Sequence, residues 1–130
     1  MRILAFQGLC AWEEGCEIDD IILYSWIEKE EMLELTQEEL IFPTMLIRGV
    51  VEHVEELDSK IKAHLKNWDF SRINIIDKAN LRLGTYSLLY QKDVDASIII
   101  SESVRIAQEY GTNDSYKFVN GVLDSIKNSL

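Results

Sequence analysis

Residues 72–91, RINIIDKANLRLGTYSLLYQ, carry apolar side chains on two faces at once. Ile75, Ala79, Leu83, Tyr86 and Tyr90 recur at steps of three and four and form one stripe. Leu81 and Leu88 form a second, well over about 100° away when each residue turns the helix by about 100°. A helix with two apolar faces has to be covered on both, so this segment belongs at the centre of a helical bundle. Arg82 lies inside it and needs a buried partner. Gly84 points to close approach of another backbone.

The remaining segments supply the cover. RILAFQGLCAW, ending before Gly15, is apolar almost all round and reads as a helix buried on several sides. Asp19 and Asp20 precede IILYSWIEKEEMLEL, where Ile22, Trp26 and Leu33 recur at helical spacing, and early acids suit the helix dipole. Thr36 and Glu39 have capping-box spacing and start a short turn toward Pro43, which breaks a helix or sits in a new first turn. From Thr44, the stripe Ile47, Val50, Val54, Leu57, Ile61 and Leu65 predicts one long amphipathic helix. Trp68 to Ser71 is a joint. After the loop Lys92 to Asp95, the face Ile100, Val104 and Ala107 marks another helix, with Gly111 as its C-cap. Thr112, Asn113 and Asp114 offer N-caps to a last helix whose stripe is Val119, Val122, Leu123, Ile126 and Leu130. The expected fold is all-α: a compact bundle of six or seven helices in one domain of 130 residues, with helical subdomains at 1–70 and 71–130.

Charge narrows the function. The chain carries a net charge of −10, all of it in residues 1–70; residues 71–130 hold 7 bases and 7 acids. Tight, non-specific nucleic-acid binding by the whole surface is excluded, whereas a local site in the neutral half is not. Cys10 and Cys16, with His53 and His64 far off, make neither a disulfide framework nor a metal site. No nucleophile–base pair or glycine-rich cofactor loop appears, so neither an enzyme nor a cofactor is expected. No apolar run is long enough to span a membrane, and MRILAF is a poor leader, which places the protein in the cytoplasm.

On the wheel of the last helix, Val119, Val122, Leu123 and Ile126 lie within about 100° of one another. Phe118 falls at the border of that stripe, on the side of Asp114, Gly121 and Ser125, while Lys117 lies on the polar face. An aromatic there either packs on a neighbouring helix or stacks on an unpaired base, the latter worth about 1–3 kcal/mol. Lys117 and helix-terminal N–H groups can hold phosphate.

The stretch GTNDSYKFVNGVLDSI, Gly111 to Ile126, resembles the C-terminal signature of the NusB family of bacterial transcription antitermination factors, F-G-x-x-D-S-x-K-F-V-N-G-V-L-D-x-I. NLRLGTYSLLY from Asn80 is similar to the family's I-L-R-L-A-x-Y-E-L-L-Y, and LIRGV from Leu46 and AFQGLCAW from Ala5 also match. The resemblance implies a non-enzymatic adaptor that binds the boxA element of ribosomal RNA leader transcripts together with NusE, a ribosomal protein of the small subunit, within the RNA polymerase antitermination complex. It carries the RNA-contact region over to Arg2, Asp114, Ser115, Lys117 and Phe118, and a NusE-facing acid over to Asp77. Where the family usually has an Arg-rich run before the first helix, only Arg2 is present, and attraction to phosphate is correspondingly weaker. The alternative is a NusB-fold protein-interaction adaptor with reduced or lost RNA binding.

Overall fold

A computed structural model describes residues 2–28, 35–66 and 69–130. Among them the chain forms seven α-helices, two short 3₁₀ turns and no strand. The helices are α1 (Arg2–Glu13), α2 (Ile18–Ile21), α3 (Ile41–Glu52), α4 (Val54–Ala63), α5 (Ile75–Tyr90), α6 (Ala96–Tyr110) and α7 (Ser115–Asn128). The all-α expectation holds. None of the described helices is long and apolar enough to cross a membrane.

α5 is the predicted central helix, packing on α1, α3, α4, α6 and α7. Its two stripes feed two cores. Ala79 and Leu83 join Ala5, Phe6 and Leu9 of α1 and Leu46, Ile47 and Val50 of α3. Leu81 and Leu88 join Ile61 of α4, Ile99 and Ala107 of α6, and Val119, Leu123 and Ile126 of α7. The cores do not divide at residue 70, because Ile61 belongs to the second and Ile106 to the first.

Buried Arg82 finds its partners in two half-buried carboxylates. Its Nε and Nη2 donate to the two carboxylate oxygens of Asp58 at 2.8 and 2.9 Å, and Nη1 to Glu13 at 2.6 Å. One guanidinium thus ties α1 and α4 to α5. Gly84 admits side chains, not backbone as predicted: a Cβ there would stand 2.8 Å from Leu123 Cδ1 and 3.0 Å from Ser103 Oγ.

Three expectations are corrected. The helix expected through Ile22 and Trp26 does not form: after α2 the chain turns, and Tyr24 takes φ 56°. Tyr24 is buried with its hydroxyl 2.8 Å from Thr44 Oγ1, and Trp26 Nε1 donates to the Ile21 carbonyl at 2.9 Å. Burial of one aromatic ring against α3 outweighs the helical spacing, which propensity alone cannot enforce. Leu33 and Trp68 lie outside the described residues. The long helix from Thr44 is two helices, broken at His53, whose N–H is shared between the Gly49 and Val50 carbonyls while Nδ1 also meets Gly49 O at 2.9 Å. The His53 ring packs on Tyr90, 4.5 Å between centroids, so the break docks on α5. Gly111 is the C-cap of α6, as expected; its backbone is extended, and glycine is required there for space, since a Cβ would lie 2.6 Å from Ser115 Cβ. Leu130 is exposed, because α7 ends at Asn128.

Other expectations stand. Pro43 sits in the first turn of α3, and Glu39 N donates to Thr36 Oγ1 at 3.2 Å. The loop Lys92 to Asp95 precedes α6 as expected, and its last residue adds a cap that the spacing did not indicate, Asp95 accepting from Ser97 N at 2.9 Å.

Candidate nucleic-acid interface

The start of α7 is built by Gly111 to Phe118. α6 ends at Tyr110, and the chain reverses over Thr112 to Asp114. Asp114 occupies the N-cap position but makes no side-chain cap bond. Ser115 does the anchoring: its Oγ accepts from Thr112 N at 2.9 Å and donates to Asp77 Oδ2 at 3.1 Å. Asp77 is fixed in turn at the first turn of α5, where its N–H donates to Asn74 Oδ1 at 2.8 Å. The starts of α5 and α7 are therefore joined by one buried hydrogen bond.

That joint divides the predicted residues. Ser115 and Asp77 are 2% and 6% exposed, so both predicted contact residues turn inward, onto each other. Asp114 and Lys117 are exposed. Phe118 is half-buried at the margin of the second core, as the wheel indicated. Gly121, one turn further along the Phe118 side, is exposed, and a Cβ there would meet nothing within 4 Å. The face therefore offers a cation, an acceptor and an aromatic edge beside a helix N-terminus, the groups that hold a phosphate and a base. Tyr116 was not singled out from the sequence, yet Lys117 Nζ lies 5.8 Å from its ring centroid. An aromatic next to the lysine was the signal available.

Arg2 is not brought to this face. Its guanidinium pairs with Glu102 at 2.7 Å and donates to Ser87 at 2.9 Å and Gln91 at 3.3 Å, and its side chain is only 10% exposed. Burial pulls its pKa below the ordinary arginine value against the opposing charge and bond of Glu102. It lines a groove of about 650 Å³ between α1 and α6, to which α6 contributes Arg105 and Tyr110. The predicted phosphate ligand is thus a tie between α1, α5 and α6.

Cys10 is poorly placed for thiolate chemistry. Both cysteines are free, and burial, then the charge of Glu14, pushes Cys10 up to about 11. Among the described residues no group of three or more His, Cys, Asp or Glu is placed to hold a metal ion.

Comparison with known proteins gives a consistent result. The model of the NusB family matches residues 1–128. The transcription antitermination protein NusB of Treponema denticola is 47% identical over 128 residues, covering 98% of this chain and 93% of that protein. The solved structure of NusB from T. maritima superposes with a TM-score of 0.85 at 31% identity, over 98% of this chain and 87% of the other. A crystal structure of the antitermination factors NusB and NusE in complex with double-stranded RNA gives a TM-score of 0.79 at 25% identity, over 98% and 92%.

Proposed function

The chain belongs to the NusB family, and on that footing we propose that it is a cytoplasmic, non-catalytic transcription antitermination factor. It binds the boxA element of ribosomal RNA leader transcripts together with NusE and supports processive transcription by RNA polymerase. The observation that carries this reading is the start of α7, where exposed Lys117 and Asp114 flank the half-buried edge of Phe118. Lys117 meets phosphate, Phe118 offers its edge to a base, and Asp114 accepts from a base or sugar donor. Ser115 and Asp77 act indirectly, by fixing that turn on α5. Arg2 contributes by holding α1 against α6. NusE adds contacts of its own and raises the affinity.

Titration of boxA RNA at fixed salt, with and without NusE, tests the proposal. Lys117→Ala and Phe118→Ala are expected to weaken binding, Phe118→Ala by roughly 1–3 kcal/mol if the ring stacks. Absence of any boxA preference even with NusE rejects it. The commitment of Arg2 to Glu102, in a chain of net charge −10, favours a second reading, an adaptor on the same fold that engages protein alone. Under that reading Phe118→Asp leaves NusE binding intact and changes no RNA signal.

A further inference from the structure

An RNA strand at the start of α7 needs cations for its phosphates beyond Lys117, and Glu102 already holds Arg2. A cluster of other cations lies elsewhere. Six of the 13 lysines and arginines fall between Lys60 and Arg82, against two acids, Asp69 and Asp77. Lys78 and Arg82 are paired with Glu13 and Asp58. Lys60, Lys62, Lys66 and Arg72 form no ion pair among the described residues, Lys62 Nζ standing 5.1 Å from the Phe70 ring centroid, and the last three of the four are exposed. The helix dipole accounts for Lys60 and Lys62, in the last turn of α4. It does not account for Lys66 and Arg72, which follow that helix.

This basic end is joined to α7. His64, the C-cap of α4, places Nδ1 2.8 Å from Ser125 Oγ. Phe118, Gly121 and Ser125 follow one another at steps of three and four and share a face of α7. The distance from Phe118 to Ser125 is about 10 Å at about 1.5 Å per residue. Gly121 leaves the way between them open. The neighbouring acids are engaged: Asp124 pairs with Lys127 at 3.5 Å, and Asp69 accepts from Ser71 N at 3.0 Å.

We infer that RNA bound at Lys117 and Phe118 runs along this face of α7, past Gly121, to the end of α4, where Lys62, Lys66 and Arg72 take its phosphates. The inference rests on the RNA site proposed above and gives that site a direction and a second anchor. A strand suits the surface better than an acidic protein segment, because the cations continue a face that begins with an aromatic edge and a lysine.

The test uses the intact chain, single-stranded boxA RNA, and the same RNA lengthened stepwise at each end. The logarithm of the binding constant is followed against the logarithm of salt concentration. Lengthening at one end is expected to steepen the wild-type slope. The triple variant Lys62→Gln, Lys66→Gln, Arg72→Gln is expected to lose about 2 units of slope on the long RNA, since each neutralised phosphate of a single strand contributes about 0.7. On the short RNA it should match wild type. Should the triple variant fail to fold by circular dichroism, Lys66→Gln alone, outside any helix, is expected to lose about 0.7. Equal slopes for variant and wild type on every RNA overturn the path while leaving the site on α7 intact. Loss of NusE binding with unchanged RNA slopes overturns it also, making the patch a protein surface. A wild type that binds none of these RNAs sinks both readings.

Discussion

Arg82 ties α1 and α4 to α5 through one guanidinium. Its fork holds Asp58 bidentately and Glu13 by a third bond, with the Trp12 and Phe70 rings 5.6 and 5.8 Å from the guanidinium carbon. Arg82→Ala strands two carboxylates in a partly buried setting and is expected to cost about 3–5 kcal/mol in urea unfolding. Arg82→Lys cannot reproduce the fork and falls between. The same cluster sets a pH dependence. Burial alone would raise the Glu13 carboxyl, but the bond and charge of Arg82, aided by Lys78, outweigh it and hold Glu13 below the usual range. A depressed carboxylate contributes stability that is fully present above its unfolded value of about 4.3 and is lost as pH falls through the lower folded value. The stability gap between wild type and Glu13→Gln, measured by urea titration, should therefore close on acidification below about 4. Cysteine labelling checks the local environment independently. Exposed Cys16 should react faster than half-buried Cys10, whose thiol is pushed up to about 11, and unfolding should narrow the difference.

At the scale of elements, α5 and α7 are the pair to probe. Gly84→Ala drives a methyl group toward Leu123 and Ser103 and is expected to cost about 1–3 kcal/mol by thermal unfolding, the range of an overpacked core. Ser115→Ala removes the donor that reaches Asp77, and should cost about 1–3 kcal/mol and weaken RNA binding without touching RNA. The helices themselves were legible because apolar spacing reports which face is covered. The two stripes of α5 gave its central place, and Arg82 within them gave a buried ion pair. Its partners, 24 and 69 residues away, could not be read, because no local pattern encodes them. The break at His53 was hidden because Val54, Leu57 and Ile61 continue the stripe across it. Tyr24 turns left-handed for a contact with Thr44, which spacing does not carry. On the candidate interface, the wheel placed Phe118 at the rim. It could not tell that Ser115 and Arg2 point inward, since each is held by a residue more than thirty positions away.

For the whole molecule, the sharing of α5 between two cores predicts one unfolding event. Circular dichroism and tryptophan fluorescence should give coincident transitions, and calorimetric and van't Hoff enthalpies should agree. Fragments cut at residue 70 should each stay unfolded, since Ile61 loses the second core and Ala79, Leu83 and Ile106 leave the first. Ten of the sixteen residues of α5 are buried, among them Asp77, Asn80, Arg82, Thr85 and Ser87. A rod enclosed on every side, with polar groups spaced along it, has almost no position at which a random replacement is neutral. Change in a lineage of such chains has to accumulate around this rod, on the outer skins of the helices that wrap it.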